Sequence, residues 1–122
     1  GYVDYADAKA SGLTFASVQN KSGDYIAATP ASASAAGNGI TVASNLTFHA
    51  VWSPNTSAYP ITYQSWDLVY ATQPNANDAA LLKAYLGYLL GAGQQLLGNL
   101  GYAPLSSSID QQAVAQLSQI TS

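Results

Sequence analysis

The segment Ala58-Tyr-Pro-Ile-Thr-Tyr-Gln-Ser-Trp-Asp-Leu-Val-Tyr-Ala71 carries the strongest strand signal in the chain. Aromatic and β-branched residues dominate it, and Pro60 stands near its start, where a missing N–H does least harm to a ladder. Such a strand needs neighbours to pair with and a core to cover it. The architecture turns on whether the 122 residues supply those neighbours or the strand belongs to a sheet built from elsewhere.

Moving outward towards the amino terminus, Ser53-Pro-Asn-Thr-Ser57 reads as a loop. Residues 40–57 are ambiguous: Ile40-Thr-Val42 and Leu46-Thr-Phe-His-Ala-Val-Trp52 have strand composition, but Asn and Ser interrupt them. Before them, Thr29-Pro30 announces a helix, with Thr29 as N-cap and Pro30 in the first turn. The Ala/Ser run 31–36 continues that helix, and Gly37-Asn-Gly39 ends it. Leu13 to Val18 alternates apolar and polar and predicts a half-buried strand. Asn20-Lys-Ser-Gly-Asp24 is a turn, and Tyr25 to Ala28 the returning strand. Gly1-Tyr-Val-Asp-Tyr5 reads as the end of a strand, and Ala6 to Ala10 as a short helix stopped by Ser11-Gly12.

Towards the carboxy terminus, Thr72-Gln-Pro-Asn75 is a turn. Asn77 or Asp78 is the expected cap of a helix running to about Asn99, with leucines and Tyr85 recurring at helical spacing. Gly87, Gly91 and Gly93 fall inside it, each costing up to about 1 kcal/mol relative to Ala. They imply close packing or a break near Gly91-Ala-Gly93; a Gly-mediated helix pair is the alternative, a device mainly of membranes. Ser106-Ser-Ser108 opens a last helix, Ile109 to Ile120, with Asp110 in its first turn.

Composition narrows the function classes. Charged residues make up only 7% of the chain: three Lys, six Asp, no Arg and no Glu. A net charge of −3 excludes the basic footprint that nucleic-acid binding requires. The lack of cysteine removes disulfides and thiolate metal sites. The apolar run Ala79 to Leu90 is interrupted by Lys83 and falls short of the ~20 residues of a membrane span. No signal peptide is visible at Gly1, which is expected of a mature protein or a processed piece. Three Asn-X-Ser/Thr sequons begin at Asn20, Asn45 and Asn55, and they matter only in a eukaryotic secretory pathway.

The order of four motifs resembles a known family. Gly1-Tyr-Val-Asp-Tyr-Ala-Asp-Ala-Lys9, Ala58-Tyr-Pro-Ile-Thr62 leading into Trp66-Asp-Leu-Val-Tyr70, Leu82-Lys-Ala-Tyr-Leu-Gly-Tyr-Leu-Leu-Gly-Ala-Gly93, and Gly101-Tyr-Ala-Pro-Leu-Ser106 are similar to the carboxy-terminal third of bacterial phosphate-binding proteins, the substrate-binding components of phosphate ABC transporters, in their actinobacterial form. The resemblance implies an α/β fold of the type II periplasmic-binding-protein kind, of which this chain is a carboxy-terminal fragment contributing to both lobes. Residues 1–57 would be part of the second lobe, and residues 58–122 the hinge-crossing strand and closing helices of the first. It implies an extracytoplasmic protein, in the periplasm or at the cell surface, with a lipid anchor as an option at the missing amino terminus. Its partners would be inorganic phosphate, bound only with the amino-terminal portion, and an ABC transporter permease.

Phosphate selectivity calls for many convergent donors, commonly an Arg that grips two oxygens. The family's phosphate ligands lie upstream of this chain, so no ligand-binding, catalytic or metal residue is carried over, and no cofactor is implied. Other chemistry has little to stand on. His49 is the only imidazole, expected on a partly exposed strand position; a Ser–His–Asp triad would need it as base, and no Gly-X-Ser-X-Gly elbow is present. Asp4 and Asp7 can share a helix face but are too few for a calcium loop. Asp67 is either a contact across the lobe interface or an outward strand position. Gly37-Asn-Gly39 lacks the Lys and repeated Gly of a phosphate-cradling loop, and the nine Tyr and two Trp are read as core or interface residues before a stacking platform. An enzyme is not expected. The alternative to phosphate delivery is a stand-alone structural or self-associating interaction module, whose drive would be the uncovered strand 58–71 and the apolar helix face.

Overall fold

Thr29 begins the best-determined local structure. In the computed structural model, which describes residues 1–122, its hydroxyl accepts from the Ser32 N–H at 3.0 Å while Ser32 Oγ accepts from the Thr29 N–H at 3.0 Å. This reciprocal capping box, with proline in the first turn, launches a six-residue helix, Pro30–Ala35. Local chemistry of the same kind sets the other helices. α1 spans Tyr5–Ala10 and stops at Gly12, whose φ of +64° favours glycine. The helix at Pro30–Ala35 is α2. α3 spans Ala76–Leu90, α4 Gln94–Leu100, and α5 Ser107–Gln116, followed by a single 3₁₀ turn at Leu117–Gln119. A two-residue antiparallel ladder, β1 at Val18–Gln19 and β2 at Tyr25–Ile26, flanks the 20–24 turn.

Several expectations are corrected. The helix expected to run to Asn99 breaks at Gly91-Ala92-Gly93, where Gly91 leaves helical geometry at φ −102°, ψ −108°. A side chain would be crowded at Gly93, where a Cβ would lie 3.0 Å from the Tyr88 carbonyl oxygen and 3.1 Å from Leu89 Cα, so the backbone would have to give by a few tenths of an ångström. The cap of α3 is Asn75, neither Asn77 nor Asp78, because the Asn75 side chain reaches the Asp78 N–H at 2.9 Å. The amino-terminal strand is not formed; residues 1–4 are irregular, and Leu13 to Ser17 are unpaired apart from the Val18 start of β1.

The largest difference concerns 58–71, which forms no strand. From Ile61 to Tyr70 no residue makes a backbone–backbone hydrogen bond. Side chains hold the segment instead: Trp66 Nε1 donates to the Leu46 carbonyl at 3.0 Å, and Gln64 Nε2 donates to the Phe48 carbonyl. Only at its far end does pairing begin, where Thr72 bridges Thr121 in parallel and the Thr121 N–H donates to the Ala71 carbonyl at 2.7 Å. The composition favours a strand, but a ladder needs a second edge, and none of the other residues is placed to supply one.

The core is small. Ala36, Phe48, Ala50, Ala58 and Ile109 form its buried cluster, with Ile40, Val42 and Leu105 against it. Residues from before and after position 58 therefore share one apolar centre. Phe48 contacts Trp66 edge-to-face at 5.9 Å. Only 15 of 122 residues are buried, and the accessible surface is 7989 Å². A compact monomer of this mass would expose roughly 6,200 Å². The difference, roughly 1,800 Å², is apolar in its largest pieces: Leu68 is 94% exposed and Tyr70 87%. No helix is long and apolar enough to cross a membrane.

Candidate functional site

His49 sits where alternation puts it. Phe48 and Ala50 turn into the core, so the residue between them faces solvent, and Val51 follows it outward. Two residues in the left-handed region, Leu46 at φ +66° and Trp52 at φ +59°, bracket this short extended piece. No serine hydroxyl or carboxylate bonds His49, so the triad geometry is not assembled around it.

Asp4 and Asp7 do not act as a pair. Asp4, at the N-cap of α1, makes no side-chain cap bond; its Oδ1 accepts from the Tyr63 hydroxyl at 2.8 Å. That bond ties the amino-terminal segment to the unpaired 61–70 segment across 59 positions of sequence. Asp4 holds the phenol's proton in place, through the hydrogen bond first and its charge second, and raises the Tyr63 pKa above the ordinary 10.0. Asp7 lies exposed in the first turn of α1, where its charge favours the helix amino terminus. Asp67 is exposed on the unpaired segment. No three side chains of metal-ligating type converge anywhere.

The Gly37-Asn-Gly39 turn spends its donors locally. The Gly37 N–H donates to the Ser34 carbonyl at 3.0 Å and the Asn38 N–H to the Ala35 carbonyl at 3.1 Å, which leaves neither for an anion. Gly37 is instead a packing point: Ser106 Oγ donates to its carbonyl at 3.1 Å, and a Cβ there would lie 2.9 Å from Ile109 Cδ1. Gln94 does similar work at the break between α3 and α4. Its Nε2 donates to the Leu89 carbonyl at 2.8 Å, and its Oε1 accepts from the Leu105 N–H at 2.8 Å. These long-range links carry no sequence signature, because Ser, Gln and Gly are common and nothing local marks which of them bond at a distance.

Two further features remain. Asp110 Oδ1 is buried without a hydrogen-bond partner in the first turn of α5, where the helix dipole offsets part of its desolvation cost. An open groove of about 430 Å³ lies between the start of α3 and the carboxy-terminal residues, with Lys83 its single charged side chain. One cation on a shallow surface lacks the ring of donors that holds an oxyanion.

The aromatic residues are mostly peripheral. Tyr25 lies on β2, Tyr63 and Tyr70 on the unpaired 61–70 segment, Tyr85 and Tyr88 on α3, and Tyr102 beyond α4, all of them exposed. The Tyr5–Phe15 edge contact at 5.5 Å is local to the amino-terminal segment. Neither forms a continuous stacking face.

No protein-family model matches the chain. It is similar to curated proteins named phosphate-binding protein PstS 3, from Mycobacterium tuberculosis and Mycobacterium bovis, at 30% identity over 114 residues. The match covers 85% of this chain and 30% of each relative, so the chain spans less than a third of the length of the curated relatives it matches.

Proposed function

We propose that the chain is the carboxy-terminal portion of an extracytoplasmic solute-binding protein of the type II periplasmic-binding-protein fold, which captures inorganic phosphate and delivers it to an ABC importer. One observation carries this: 85% of the chain aligns with proteins named for phosphate binding, while occupying only 30% of their length. Support also comes from what the chain leaves undone. Its strongest strand lies unpaired, its surface exceeds that of a compact monomer by roughly 1,800 Å², and it has no Arg. Structure of this kind is scaffolding for a site whose donors come from elsewhere. In this role residues 1–57 belong to the second lobe and residues 58–122 return to the first, and the protein is a binder that performs no catalysis. The test is titration calorimetry on the polypeptide that contains these residues, with phosphate and with sulfate. Saturable phosphate binding with much weaker sulfate binding is expected; no heat with phosphate would remove the function.

The exposed Leu68, Tyr70 and Leu81 favour a second reading, a self-associating interaction module without a small ligand. Light scattering on the 122 residues separates it: a compact monomer across a concentration series counts against it.

A further inference from the structure

We infer that Asn38–Gly39 is a self-modifying site, at which the Asn38 side chain closes on the Gly39 nitrogen and loses its amide as ammonia. The chemistry is independent of any phosphate binding. Gly37 and Asn38 spend their N–H groups within the turn, but the Gly39 N–H makes no hydrogen bond. The Asn38 carboxamide makes none either, and both residues are exposed. Gly39 sits at φ +75°, and a Cβ there would meet nothing within 4 Å, so its nitrogen is unscreened and has room around it.

The Gly39 nitrogen, on losing its proton to base, attacks Asn38 Cγ. The N–Cγ bond forms, the Cγ–Nδ2 bond breaks, and Nδ2 leaves as ammonia with a proton from water. A succinimide ring remains. Water opens it at Cγ to give aspartate, or at the residue 38 main-chain carbonyl to give isoaspartate, in which the chain runs through Cβ and Cγ. Overall, water enters and ammonia departs with no change of oxidation state.

The structure singles out this residue among seven asparagines. Asn20 is 3% exposed; its Nδ2 donates to the Thr56 carbonyl at 2.7 Å, and its Oδ1 accepts from the Ser22 and Asp24 N–H groups. In Asn45, Asn55 and Asn75 the Oδ1 accepts from Thr47, Ser57 and Asp78, and a residue with a side chain follows each. Asn77 and Asn99 lie within α3 and α4, where helical geometry keeps the following nitrogen away from the side chain. The consequence is structural. Ala36 is fully buried and Ile40 packs against the core cluster, so isoaspartate inserts a methylene into the main chain between two anchored positions. The Gly37 carbonyl that accepts from Ser106 lies between them.

The test is incubation of the polypeptide that contains these residues, folded and in urea, at neutral and mildly alkaline pH, with peptide mass spectrometry as the readout. Asn38 should convert ahead of the other asparagines, faster at the higher pH, and yield both aspartate and isoaspartate. Folding should suppress conversion at Asn20 and leave that at Asn38 close to its rate in urea. Gly39→Ala, compared in urea so that the turn's stability has no bearing, should slow conversion at 38 by at least about tenfold, an added barrier of about 1.4 kcal/mol. Protection of Asn38 in the folded polypeptide, aspartate without isoaspartate, or an unchanged rate in Gly39→Ala would each overturn the assignment.

Discussion

Gly98 and Gly101 lie three positions apart and have opposite roles. A Cβ on Gly98, inside α4, would meet nothing within 4 Å. Gly98→Ala should therefore stabilise the chain by up to about 1 kcal/mol, through the lower entropy of its unfolded state. Gly101 closes the same helix at φ +83°, and a Cβ there would lie 2.9 Å from Ala6 Cβ and 3.0 Å from Ala6 Cα. Gly101→Ala meets both left-handed strain and a clash with backbone, and should cost about 2–3 kcal/mol. Urea midpoints of the two variants check the pair, and a shift of equal sign would refute it. The Tyr63–Asp4 bond makes a prediction about alkali. Because the native phenol holds its proton to higher pH than the free one, the bond's contribution is complete below pH 10.0 and declines as pH rises through the raised native pKa. The two residues are solvent-exposed, so the effect is small; Tyr63→Phe should flatten the difference between urea midpoints at pH 8 and above pH 10.

At the scale of elements, helices formed where local rules point to them and the strand did not. Thr29→Ala removes one half of the α2 capping box and should cost about 1 kcal/mol, read from the same urea curves. Ile109 joins α5 to the cluster around Phe48, so Ile109→Ala should cost about 2–3 kcal/mol by deleting contacts on both sides of residue 58. The α3–α4 break follows from what each partner must accept. Helix propensity alone tolerates Gly91 and Gly93, but Gly91 leaves helical geometry after Leu90, and a side chain at 93 would crowd the Tyr88 and Leu89 backbone. For 58–71, strand propensity is present and pairing is absent: a helix satisfies its own backbone, while a strand depends on a neighbour distant in sequence.

Across the whole molecule, charge and surface govern behaviour. A chain with 7% charged residues and a surface roughly 1,800 Å² above that of a compact monomer has little repulsion to keep copies apart. The isolated 122 residues should show no tight phosphate binding by calorimetry, since no arginine and no cluster of free donors is present to replace the anion's hydration. Submicromolar phosphate affinity from these residues alone would place the site within them. If the proposed function holds, adding the remainder of that phosphate-binding polypeptide in trans should restore binding by complementation. The sequence by itself determined the local events: the Thr29-Pro30 start, the 20–24 turn, the stop at Gly12, and the exposure of His49. Each depends on residues within a few positions of one another, where capping, φ preference and alternation act directly. Only the tertiary structure decided that Asp4 bonds Tyr63, that Gly37 must be small beneath Ile109 and Ser106, and that 61–70 runs without a ladder. Those outcomes depend on which distant surfaces meet, and contact across tens of residues leaves no periodicity in the sequence to reveal it.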